Sequence, residues 1–233
     1  MNDEEILLEF CSSSFSACYG NFKSVAQRYG KILTGLLLPE LDVGSISDRT
    51  PVWIVNSSLE SFPEIKRSNI MNLKRAIQKH SGGPVHVGAK GLIHGTSSVE
   101  CYLSNTDSAF PGDADAVIVD ADGSIRFILE FKKHTLSDDL GNHLMQKYFP
   151  RPDGRKYLRL NALASDIGNS SNSRIPLIVL YYSTRKPLIR LQEIGRMDTM
   201  TVEIAKDSGD LETLGLSEDQ VGRKILNWLG IEK

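Results

Sequence analysis

Asp113, Asp115, Glu130 and Lys132 are the side chains whose types and spacing could do chemistry together. They lie in the stretch FPGDADAVIVDADGSIRFILEFKKH, residues 110–134. Two runs rich in β-formers flank an Asp122-Gly123 pair, the strongest short-range signal for a β-hairpin. With Asp122 and Gly123 as a two-residue turn, Asp115 falls opposite Glu130 and Asp113 opposite Lys132. Strand side chains alternate, so these four share one face while Phe127, Leu129 and Phe131 share the other. Opposed residues hold their Cβ atoms ~4.5–5.5 Å apart, and like charges there repel. A proton or a cation between the carboxylates relieves that cost. Mg²⁺ suits the place, because it takes one or two protein carboxylates and leaves its other positions to water and phosphate. Lys132 shares the face and can touch the same substrate or nucleophile.

A Pro-Gly-Asp turn, an Asp leading an apolar strand, a hairpin, and Glu-x-Lys ending the next strand resemble the PD-(D/E)xK nuclease superfamily. The matching positions are Asp115, Glu130 and Lys132, with Asp113 a rival for the first. The resemblance implies a restriction-endonuclease-like α/β fold, a central mixed β-sheet flanked by helices in the order α-β-β-β-α-β. It implies an endonuclease hydrolysing phosphodiester bonds with Mg²⁺ or Mn²⁺. Asp115 and Glu130 would hold the ion, with the backbone carbonyl of Phe131 as third ligand, and Lys132 would position or deprotonate the attacking water. DNA is expected over RNA because it is the commoner substrate in the superfamily. A homodimer would suit cutting of both strands. The family often takes an acid from an N-terminal helix, and Glu40 lies just past the one expected here; some members place a Gln or Lys beside the metal, about where Gln146 and Lys147 lie.

These residues need elements to hold them. Helical spacing runs over residues 3–10 and 19–38, where Phe22, Val25, Tyr29, Ile32, Leu33 and Leu36 recur and Pro39 ends the pattern. Residues 50–56 form a short strand. Residues 63–80 read as a helix with Ile70, Leu73 and Ile77 as the apolar stripe and Arg67, Lys74, Arg75 and Lys79 on a basic side. Alternation of Val99, Cys101 and Leu103 suggests a strand over 93–103, with Glu100 on its opposite face and able to approach the acids. Ser137 is placed to cap a helix past Leu140, Leu144 and Tyr148. Another helix opens at Arg155 and runs to about Ser165. The apolar run 177–182 reads as a strand buried on both faces. Residues 188–194 and 200–204 suggest a hairpin, and Ser217 with Gln220 forms a capping box for a helix ending near Leu229. A single domain over 1–233 is expected, with the nuclease core at about 60–185, helical additions before it and β/α additions after.

Lys147, Arg151, Arg155, Lys156 and Arg159, interleaved with Tyr148 and Tyr157, make the most basic region, and Lys133 adjoins the hairpin. With Gln146 they are the expected nucleic-acid contacts, since phosphate grip supplies affinity. The whole chain carries 27 Lys+Arg against 29 Asp+Glu, a net charge of −2. It therefore has no global basic field. Forty per cent of its residues are hydrophobic, as in an ordinary soluble globular protein. Cys11, Cys18 and Cys101 form no Cys-x-x-Cys pair and suggest a reducing compartment. No signal peptide or membrane span is legible, and a cytoplasmic protein without a membrane partner is expected.

Other motifs fail on spacing. Gly88, Gly91 and Gly95 do not fit a phosphate loop. Asp120 to Gly123 does not open an EF-hand, which needs Gly at its sixth position and Glu at its twelfth. His94 and Ser97 lack a Gly-x-Ser-x-Gly elbow for a Ser/His hydrolase. The second class of function is a nucleic-acid-binding module that keeps the nuclease fold without turnover.

Overall fold

A computed structural model describes residues 5, 14–56, 64–81, 97–108, 114–151 and 154–231. The chain divides into two compact units, Met1–Pro111 and Gly112–Lys233. The span of about 60–185 expected for a nuclease core crosses the boundary between them. Asp113, His94 and the glycines at 88, 91 and 95 lie outside the described residues.

The first unit contains helix α1 (Ser14–Arg28), strands β1 (Thr34–Leu37), β2 (Pro51–Asn56) and β3 (Glu64–Asn69), and helices α2 (Ile70–Ser81) and α3 (Ser98–Ser104). The strands form an antiparallel sheet in the order β1-β2-β3. Three expectations are corrected here. The helix expected over 19–38 stops at Arg28, because Gly30 adopts φ +64° and Lys31 N–H turns back to the Ala26 carbonyl at 2.8 Å. A left-handed glycine after the last turn is a common helix stop. The chain beyond it is free to pair as β1.

The helix expected from residue 63 begins only at Ile70, since Arg67 and its neighbours pair with β2. Asn69 accepts the N–H of Asn72 at 2.9 Å and marks the start. The strand expected over 93–103 is instead the helix α3, capped by Ser97, whose hydroxyl accepts the Glu100 N–H at 3.1 Å. Val99 and Leu103 are one turn apart and bury with Ile70, Leu73 and Ile77. Their spacing of four satisfies a helix as well as a strand. Glu100 thus sits on a short helix, and both Glu100 and the exposed Glu40 belong to the first unit.

The second unit is built on a mixed sheet. Its strands are β4 (Ala116–Val119), β5 (Ile125–His134), β6 (Leu177–Ser183), β7 (Leu188–Met197), β8 (Val202–Asp207) and β9 (Leu211–Glu212). The order is β4-β5-β6-β7-β8, with β9 also on β7. β5 and β6 run parallel, and every other pairing is antiparallel. The parallel pair requires a crossover, which helices α4 (Met145–Tyr148) and α5 (Gly154–Ser171) supply. The closing helix α6 (Glu218–Leu229) has the expected capping box of Ser217 and Gln220. Its Val221, Ile225 and Trp228 pack on a layer of Phe127, Leu129, Ile178, Leu180 and Leu191. The opposite face, with Ile128, Glu130, Val179 and Tyr181, is also buried, as are Tyr157, Leu160 and Ala164 of α5. An α/β architecture with a mixed sheet and flanking helices is therefore present. Among the described residues of this unit, β4 and β5 are the strands that precede the crossover.

A long helix from Ser137 does not form. The segment makes a 3-10 turn at Leu140–His143 and then the single turn of α4, with extended Leu144 between them. Leu140, Leu144 and Met145 are all buried, which this broken path allows. At the end of α5, a Cβ on Gly168 would collide with the carbonyl oxygen of Ser173. Gly168→Ala is expected to cost about 1–3 kcal/mol, as overpacking does. Urea unfolding would measure it, and an unchanged midpoint would mean that the loop yields freely.

Candidate active site

The hairpin forms, but its turn differs from expectation. Asp120 N–H reaches the Ser124 carbonyl at 2.8 Å, and Gly123 N–H reaches the Asp120 carbonyl at 2.9 Å. The loop is thus three residues, Ala121 to Gly123, with Gly123 at φ +81°. A third loop residue that is left-handed and followed by a bulge is a favoured hairpin geometry. Asp122 spends its carboxylate on the turn, accepting the Ser124 N–H at 3.0 Å and its hydroxyl at 2.8 Å. On its own the longer loop would shift the strands by one residue. The shift is undone at once: Val119 pairs Ile125, whereas Ile118 pairs Phe127, leaving Arg126 as an extra residue in β5. From there Ala116 pairs Leu129, the register the sequence implies.

Asp115 follows directly on that ladder. It is exposed, and its Oδ2 accepts the backbone N–H of Phe131 at 2.5 Å. Glu130 is the opposite case, 1% exposed in the centre of the sheet. Lys156 of α5 places Nζ 2.8 Å from its Oε2, and Lys132 places Nζ 4.0 Å from its Oε1. Burial pushes the Glu130 carboxyl up to about 7, against the pull of Lys156 and Lys132 and with the push of Asp115. The ammonium of Lys132 also lies 5.4 Å from the centre of the Tyr157 ring, within cation–π reach. Tyr157 is fully buried and its hydroxyl is 3.2 Å from that of Tyr148. Burial holds the Tyr157 and Tyr181 hydroxyls above the ordinary tyrosine value, so they serve as neutral hydrogen-bonding groups.

Asp115, Glu130, Lys132 and Lys156 are therefore brought to one side of the sheet. Sequence reasoning placed Lys156 among phosphate contacts and missed that it reaches Glu130. The aromatic floor of Tyr157 and Tyr148 was legible only as interleaving among the basic residues. Phe131, whose carbonyl is the expected third ligand, is 42% exposed at the edge of the apolar layer. The other expected contacts lie at the end of β5 and along the crossover. Lys133, Gln146, Lys147, Arg151 and Arg155 are exposed, and Arg159 is half-buried. Partial burial and nearby Arg155 hold the Arg159 guanidinium below its ordinary value.

Ser97 is engaged as a helix cap, its hydroxyl accepting the Glu100 N–H. Among the described residues no helix is long and apolar enough to cross a membrane. No family model, no curated protein and no solved structure matches this chain.

Proposed function

We propose that the chain is a metal-dependent nuclease of the PD-(D/E)xK type, acting on DNA in preference to RNA. The observation that carries this reading is Glu130, a carboxylate buried in a sheet centre beside the Ala116–Leu129 pair that Asp115 adjoins, with two lysines against it. A purely structural strand has no use for an acid there, since a buried carboxylate costs several kcal/mol before compensation.

The donor set fits a hard cation: two carboxylates and the Phe131 carbonyl are oxygen ligands of the kind Mg²⁺ and Mn²⁺ take. When bound, such an ion supplies Lewis-acid polarisation of a phosphoryl oxygen and a more acidic water. Lys132, held by Glu130 and the Tyr157 ring, is placed to orient that water and to offset charge growing on the phosphate. Lys156 balances Glu130 before the ion arrives and can turn to a phosphate oxygen once Oε2 is engaged. Lys133, Lys147, Arg151, Arg155 and Arg159 supply the sequence-independent grip on the backbone.

A second reading, a binding module without turnover, is favoured by the same Lys156–Glu130 pair, which neutralises the acid with no ion present. Cleavage assays separate the two. Supercoiled plasmid, linear duplex, single-stranded DNA and RNA would be incubated with Mg²⁺, Mn²⁺ or chelator. The nuclease reading expects metal-dependent cutting that Lys132→Ala reduces by about 10²–10³-fold, the loss typical of removing one charge-stabilising group. Cutting that persists in Lys132→Ala would place the chemistry elsewhere. Binding of DNA with no cutting in any metal would favour the module.

A further inference from the structure

Past the Glu-x-Lys strand end, three side chains converge that play no part in the site above. His134 ends β5, Asp138 lies in the following loop, and His143 closes the 3-10 turn. Asp138 holds both imidazoles, with Oδ1 3.2 Å from His134 Nε2 and Oδ2 2.7 Å from His143 Nε2. The two rings are 4.6 Å apart and tilted by 42°. One donor atom from each residue lies within 4.8 Å of the others. Tetrahedral Zn²⁺, with bonds of ~2.0–2.1 Å to nitrogen and oxygen, needs ligand atoms about 3.3 Å apart. The two Asp138 distances, 3.2 and 2.7 Å, lie just below that separation, so small rotamer adjustments would admit an ion.

We infer that His134, Asp138 and His143 form a transition-metal site, suited to Zn²⁺, distinct from the oxygen-donor site at Asp115 and Glu130. Two imidazoles and a carboxylate are borderline ligands that favour Zn²⁺ over Mg²⁺. Three protein ligands leave a fourth position for water or an anion. His134 and His143 both line a pocket of about 290 Å³ with Lys132, Tyr148 and Tyr181, through which such a group can enter.

His134 lies four residues beyond Glu130, so their backbone positions on β5 are about 13 Å apart at ~3.3 Å per strand residue. That is too far for a two-ion centre, where the ions sit about 3.5–4 Å apart. The ion's work is to pin the loop after β5, joining a buried strand residue to the turn that delivers α4 with Gln146 and Lys147. The spacing His-x3-Asp-x4-His was present in the sequence. It escapes attention because it matches no paired-cysteine or His-x-x-x-His pattern.

The test uses the full chain, stripped with chelator and desalted, titrated with Zn²⁺ alone by calorimetry and with Co²⁺ by visible absorption. One Zn²⁺ per chain is expected, with a tetrahedral Co²⁺ spectrum. His143→Ala and Asp138→Asn alter side chains at the surface, and circular dichroism would confirm their fold. Each should weaken Zn²⁺ at least tenfold, while Glu130→Gln should leave it unchanged. No Zn²⁺ binding by the wild type would overturn the site. So would binding that survives both substitutions, which would trace the ion to other side chains. Loss of cleavage with Zn²⁺ binding intact would bear on the nuclease reading alone.

Discussion

Glu130→Gln is expected to cut metal-dependent cleavage by at least about a hundredfold while raising the melting temperature of the metal-free protein at alkaline pH. The two effects have one cause. An ion needs the ionised carboxylate, and burial opposes ionisation: the folded carboxyl sits at about 7 against an ordinary value of 4.5. The folded chain therefore holds this proton more tightly than the unfolded chain does. The group's contribution to stability is full below about 4.5 and is lost as pH rises through 7. A shift of this size corresponds to about 3 kcal/mol across that window.

The groups facing Glu130 are Lys132 on its own strand, Lys156 and Tyr157 from α5, and Asp115 from the hairpin. Of the groups in this cluster, the Glu130 carboxyl is the one that burial moves to about 7, inside the window to be scanned. Melting curves in chelator at about pH 5 and about pH 8 would show the wild type losing ground to the variant at the higher pH. A variant that melts below the wild type at both would mean that the Lys156–Glu130 pair stabilises the fold outright. Cleavage by the wild type should correspondingly fall as pH drops through 7, where protons compete with the ion.

Tyr157→Ala is expected to destabilise the second unit by about 3–5 kcal/mol, the usual cost of emptying a buried aromatic site. Tyr157 is completely enclosed, and its ring is the surface against which Lys132 is held. Tyr157→Phe removes only the hydrogen bond to Tyr148 and should cost about 1 kcal/mol. Urea unfolding of both variants checks the contrast. Equal losses would show that the hydroxyl pair, not the ring, supports the site. In cleavage assays the Phe variant should retain kcat, because the ring that positions Lys132 is intact.

The second unit was more legible than the first, for physical reasons. Strand β6 is buried on both faces and reads as an unbroken apolar run. Helix α6 announces itself through Ser217 and Gln220, a local signal that tertiary contacts reinforce. The first unit misleads because its apolar residues recur at three and four, or at two and four, in stretches too short to separate helix from strand. Gly30 is the stop signal that the run of Ile32 to Leu36 obscures, and Ser97 is the cap that turns an alternating pattern into α3. In the candidate site, the hairpin and its paired faces followed from alternation. The reach of Lys156 to Glu130 did not, because it depends on how α5 lies on the sheet. No local pattern encodes a contact 26 residues away in the chain.

Arg126 matters less for its charge than for being one residue too many. Together with the third residue of the loop it forms a matched pair of insertions, each cancelling the other's effect on which side of the sheet Glu130 occupies. Removing the two together would keep the acid in place. Changing either alone would exchange the positions of Glu130 and Phe131. Loop length and strand length are coupled here through one register.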